Sequence, residues 1–104
     1  MNRYAVLSPE TRGTFSHRLS GLYLRLGNYL DMEAAEGRHL TFTRIFLSDA
    51  FNQRRLLEKS LLFTEFISPK DYSIIEQAPL DRSKIALLIK TSTEASPFVF
   101  QSFR

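Results

Sequence analysis

A chain of 104 residues, 43% hydrophobic and 24% charged, has the size and balance of one small globular domain. It holds no cysteine and only two histidines, His17 and His39, which excludes a disulfide framework, a thiolate metal site and a histidine-rich metal cluster. The net charge of +3 is spread along the chain, with Arg54-Arg55 the only adjacent basic pair, and that dispersal argues against a nucleic-acid reader.

The first strand expected is Arg3 to Leu7, ended by Ser8-Pro9. The apolar run there is too short for a signal peptide, and no stretch approaches the roughly 18–20 apolar residues of a membrane span. The expected compartment is therefore the cytoplasm. Glu10-Thr11-Arg12-Gly13 reads as a turn, after which Thr14 or Ser16 offers a hydroxyl to cap a helix. Phe15, Leu19, Leu22, Leu26, Tyr29 and Leu30 recur at three- and four-residue steps and form one apolar stripe. Gly21 and Gly27 weaken that helix by about 1 kcal/mol each against alanine, and they allow another element, such as a sheet, to pack close. The helix is expected to fade across Glu33-Ala34-Ala35-Glu36 and to stop at Gly37.

Leu40 to Leu47 alternates as a strand, with Leu40, Phe42 and Phe46 on one parity and Ile45 and Leu47 on the other. Ser48-Asp49 caps a second helix from Ala50 to Phe66, with Leu57, Leu61 and Thr64 on its inner line, and Ser68-Pro69 ends it. Strands follow at Tyr72–Gln77 and Ser83–Thr93, joined by Ala78-Pro79-Leu80-Asp81-Arg82. Pro97 to Arg104 reads as a short last strand or as an aromatic tail docked on another surface. The order β-α-β-α-β-β predicts an α+β fold: a single mixed β-sheet with two helices packed on one face, in one domain over residues 1–104. The second sheet face then needs cover. A thin core, nine Phe and four Tyr point to oligomer contact as its source.

Three segments in order carry a resemblance: Thr14-Phe15-Ser16-His17-Arg18-Leu19; Arg44-Ile45-Phe46-Leu47-Ser48-Asp49-Ala50-Phe51-Asn52-Gln53; and Ser68-Pro69-Lys70-Asp71-Tyr72-Ser73 with the run through Leu88. Together they resemble the RidA (formerly YjgF) family, also called endoribonuclease L-PSP-like. The resemblance implies a chorismate-mutase-like fold, a homotrimer and a small-molecule site between subunits, where known members hydrolyse enamines and imines. In that family an arginine before the serine grips the substrate carboxylate, and a glutamate in the next strand positions water. Carried over by position, these fall at Tyr72 and Leu87. A neutral phenol cannot make the forked guanidinium contact, and leucine accepts no proton. The resemblance thus implies a divergent member without the deaminase couple. It also implies a shortened N-terminal region, one strand replacing the family's hairpin.

Two other functions stay open: a deaminase with a rebuilt site, or an interaction domain in a tandem assembly. The candidate ligand-binding residues are Tyr72, Ser73, Glu76, Arg82 and Lys84. Tyr72 lines a pocket or stands as an edge aromatic; Ser73 bonds a ligand or nearby backbone. Glu76 meets a ligand or a solvent-facing cation, and Arg82 and Lys84 replace the missing guanidinium or stay on the turn surface. His17 reads as a surface residue, His39 has no evident carboxylate partner, and Asp49 is better explained as a helix cap than as an acid catalyst. No phosphate loop, nucleophile elbow or zinc-protease motif occurs, and neither a metal nor a cofactor is expected.

Overall fold

A computed structural model describes residues 2–9, 13–77 and 84–93. Four strands are laid out in the order β1-β4-β2-β3: β1 Asn2–Leu7, β2 His39–Leu47, β3 Asp71–Glu76 and β4 Ile85–Ser92. β4 lies antiparallel to both β1 and β2, whereas β3 runs parallel to β2. Helices α1 (Phe15–Ala35) and α2 (Ala50–Lys59) therefore each cross between parallel strands. Both cover one face of the mixed sheet, as the α+β reading predicts. The predicted corner Ala78–Arg82, the turn residues Glu10–Arg12 and the aromatic tail lie outside the described residues.

Helix α1 begins at Thr14, whose hydroxyl accepts a hydrogen bond from the His17 N–H at 3.2 Å; Ser16 sits exposed in the first turn. Its buried stripe is Phe15, Leu19, Leu22 and Leu26, with Tyr29 and Leu30 packed against the core. The helix does not fade across Glu33–Glu36. It holds to Ala35 and closes as a left-handed cap: Gly37 has φ +79°, its N–H donates to the Ala34 carbonyl, and the Arg38 N–H donates to that of Glu33. Glu33 itself is buried, which fixes this last turn.

The second helix departs from the expected single element. Helix α2 stops at Lys59, because Ser60 adopts extended backbone (ψ 156°). A wide turn, Leu62–Ile67, follows with i→i+5 bonding, the Ser68 N–H donating to the Phe63 carbonyl at 2.8 Å. Ser60 anchors the break: its hydroxyl donates to the Leu57 carbonyl at 2.6 Å and accepts from the Phe63 N–H at 3.2 Å. The break rotates the register. Leu57, Leu62, Phe63 and Ile67 are buried, while the expected inner residues Leu61 and Thr64 face solvent. Gly27 admits a close neighbour as expected, and that neighbour is the Phe66 ring of this turn, 3.6 Å from where a Cβ would stand.

In register, two rows on the helix side read Leu7–Leu87–Ile45–Ile74 and Ala5–Ile89–Thr43–Tyr72. Leu40 joins this side against the expected parity. The β2–β4 register slips between Leu40 and Phe42, and the extra residue, Thr41, turns Leu40 inward beside Thr91.

Candidate functional site

The alternation that fills the helix side leaves a second lattice on the open face. Its rows read Tyr4–Lys90–Phe42–Asp71, then Val6–Leu88–Arg44–Ser73, then Ala86–Phe46–Ile75. One end is polar and charged, the other apolar. Tyr4 and Val6 are 60% and 66% exposed, an unusual state for large side chains in a sheet. Arg44 stands near the centre, half-buried. Its Nε donates to Ser73 Oγ at 3.3 Å, and its guanidinium lies 5.6 Å from the centroid of the Phe42 ring. A depression of about 490 Å3 opens here, with Arg44 and Lys90 as cations, Asp71 as anion and Tyr4, Phe42 and Leu88 as apolar walls. Such a surface can hold a small anion through Arg44 and Lys90, or it can be covered by another protein face.

The sequence-predicted residues do not converge. Ser73 reaches the open face beside Arg44. Tyr72, one residue earlier, falls on the helix side and packs edge-on against Phe63, with centroids 5.2 Å apart and planes at 80°. Leu87 is fully buried in the core on that same side. Glu76 shares the parity of Tyr72 at the exposed end of β3. Lys84 is exposed before β4, where its carbonyl accepts from the Ser48 N–H at 3.1 Å. Arg82 lies outside the described residues. Arg44 shares the parity of Phe42 and Phe46, but nothing in the sequence pattern marks it as a site.

A second charged cluster joins the ends of α1, β1 and β4. Arg38 Nε and Nη2 donate to the two carboxylate oxygens of Glu33 at 2.9 and 3.1 Å. Thr91 Oγ1 donates to Glu33 Oε1 at 2.6 Å, and Arg3 Nη1 to Glu33 Oε2 at 3.2 Å. Arg38 also meets Glu36 closely. The Arg38 hydrogen bonds first, then that of Thr91, hold the Glu33 carboxyl down at about 2 against the opposing pull of burial. The same bonds raise the Arg38 pKa. Each carboxylate oxygen of Glu33 accepts two donors, which makes the cluster a clamp on structure. Among the described residues no group of three acidic, histidine or cysteine side chains could hold a metal ion, and no helix is long and apolar enough to cross a membrane.

No protein-family profile and no curated protein sequence matches the chain. Solved structures do. A member of the YjgF protein family from Neisseria meningitidis superposes with a TM-score of 0.67 at 11% identity, over 88% of this chain and 78% of that one. A candidate translation initiation inhibitor from Salmonella typhimurium gives 0.64 at 12%, over 88% and 81%. At such low identity the likeness speaks for architecture, and on that ground this chain has the fold of the YjgF proteins.

Proposed function

We propose that this chain is a single-domain RidA-like protein of the cytoplasm that assembles as a homotrimer through its open sheet face. In this reading it holds a small metabolite between subunits and lacks the family's deaminase couple. The observation that carries the reading is the lattice on the open face, where exposed Tyr4 and Val6 on the edge strand continue into half-buried Leu88, Phe42 and Phe46, with Arg44 among them. Apolar side chains in sheet register favour a second sheet, and the charged end at Lys90 and Asp71 supports a polar cavity within the same contact. The positions carried over for the family's catalytic pair support the loss of chemistry, since Tyr72 is packed on Phe63 and Leu87 is buried beneath the helices.

Light scattering and a turnover assay on 2-aminoacrylate against a buffer blank test both halves. The expected result is a trimer with no rate above the blank. A monomer at micromolar concentration refutes the assembly, and clear turnover refutes the loss of chemistry.

One observation favours a second reading, in which the chain is an enamine or imine deaminase with a rebuilt site. Arg44 delivers a guanidinium to Ser73 from the neighbouring strand, where it can grip a carboxylate from another direction. In that case turnover is present and Arg44→Lys removes most of it.

A further inference from the structure

The break at Ser60 has a second effect, on the opposite side of the molecule from the open sheet face. By ending α2 in extended backbone it turns Leu61 outward, 57% exposed, opposite Leu24 of α1, which is 65% exposed. Leu56 adds a third exposed leucine, and buried Leu19 and Leu62 form the floor. The result is a groove of about 480 Å3, mostly apolar in its lining and within the size range of small-molecule sites.

The groove carries a cation at one end only. Phe66 packs on Tyr23 at 5.4 Å between ring centroids and lies beside Gly27. Traced backward from Phe66, the chain follows α1 backward, so Leu62 and then Lys59 approach Ser20 and Ser16. All four of these line the groove. Lys59 is exposed and forms no ion pair among the described residues, and Ser16 and Ser20 are exposed hydroxyls in the same wall. At the other end the Tyr23 hydroxyl already donates to Glu65 at 2.7 Å, and that carboxylate repels an anion. One ammonium without an ion pair among the described residues, with hydroxyls beside it at one end of a leucine-walled trough, matches a molecule with a single anionic head and an aliphatic chain.

We propose that this groove binds a medium-chain aliphatic carboxylate, its head at Lys59 and its chain along Leu24, Leu56 and Leu61. Cover by a peptide or by a second copy is the competing use of the same surface. A carboxylate is favoured because the cationic end is a single residue, too little to select an acidic helix. The site is independent of the sheet-face assembly and is tested apart from it.

Calorimetric titration of the full chain with octanoate, decanoate and dodecanoate, each below its micelle concentration, gives the direct reading. The expected result is saturable binding of one molecule per chain, tightening about two-fold per added methylene, as for half-burial of each group. Lys59→Gln weakens dodecanoate binding by about three- to five-fold, and Leu61→Asp by at least about ten-fold through lost apolar cover and charge repulsion. Both sites are exposed, and unchanged melting temperatures confirm that the variants fold. A chain-length series with no trend, Lys59→Gln binding as tightly as the parent, or dodecyltrimethylammonium binding equally well each overturns the proposal. So does an acidic amphipathic peptide that occupies the groove while none of the carboxylates does. Retained binding in a Leu88→Arg variant, altered on the other face, separates this site from the assembly.

Discussion

Glu33 shows how much one side chain can organise when its oxygens are filled. Its folded-state carboxyl titrates at about 2, below the ordinary 4.5, because Arg38 and Thr91 donate to it. On acidification the unfolded chain therefore takes up this proton first. The stability that Glu33 supplies is complete above pH 4.5 and drains as the pH falls towards 2. Glu33→Gln is expected to lower stability by about 2–3 kcal/mol at neutral pH, less than a fully enclosed pair because Arg3 is half exposed. Urea midpoints measured against pH should show the gap between variant and parent closing in acid. Thr43 is the opposite case. Its hydroxyl is buried beside Ile89 and its neighbours with no partner among the described residues, so Thr43→Val should stabilise by about 1 kcal/mol in the same assay. Tyr72→Arg should lose the edge contact with Phe63, lower stability by about 1 kcal/mol and produce no deaminase rate, since Leu87 still supplies no carboxylate and position 72 lies on the sheet face opposite Arg44. None of these three environments is written in the local sequence. Glu33 stands in a polar helix end, and its partners come from positions 3, 38 and 91.

Among the elements, those with strong period were legible and those set by a single kink were not. The stripe of α1, its Thr14 cap and its Gly37 stop follow from spacing and from the one residue that takes positive φ readily. The run from Ala50 to Phe66 contains no proline or glycine, so nothing local announces a break. It arises because Ser60 can satisfy two backbone groups with one hydroxyl while the following turn widens to bury Leu62, Phe63 and Ile67. The bulge at Thr41 is equally silent, and it moved Leu40 to the other face. The resemblance directs attention to Tyr72 and Ser73 on β3, whereas the described surface centres on Arg44 of the neighbouring strand, a cross-strand placement that local sequence does not show. Gly27 gives a test at this scale. A methyl group there meets Phe66 at ordinary van der Waals distance, so Gly27→Ala should raise stability by about 0.5–1 kcal/mol in thermal denaturation.

For the whole molecule, the two faces of one sheet divide the work. Helices cover one side, and the other keeps a charged end in register across all four strands and an apolar end across β4, β2 and β3. Leu88→Arg places a cation beside Arg44 at the middle of that surface and should convert the proposed assembly to monomers by light scattering while leaving the melting transition of the subunit cooperative. The architecture was legible in the sequence because it needs only the order of elements and their periods. The proposed trimer and ligand rest on surfaces, where composition alone distinguishes little.

The strand order also sets a timetable for synthesis. β4 is the latest described strand in the chain, yet it lies between β1 and β2, pairing Asn2 with Ser92. Until the ribosome releases it, β1 has no neighbour and β2 shows a bare edge, so a nascent chain stalled before Ile85 carries only the β2–β3 half of the sheet. Such an intermediate is a natural client for holding chaperones, and an incomplete translation product of this length should aggregate where the finished polypeptide stays dispersed.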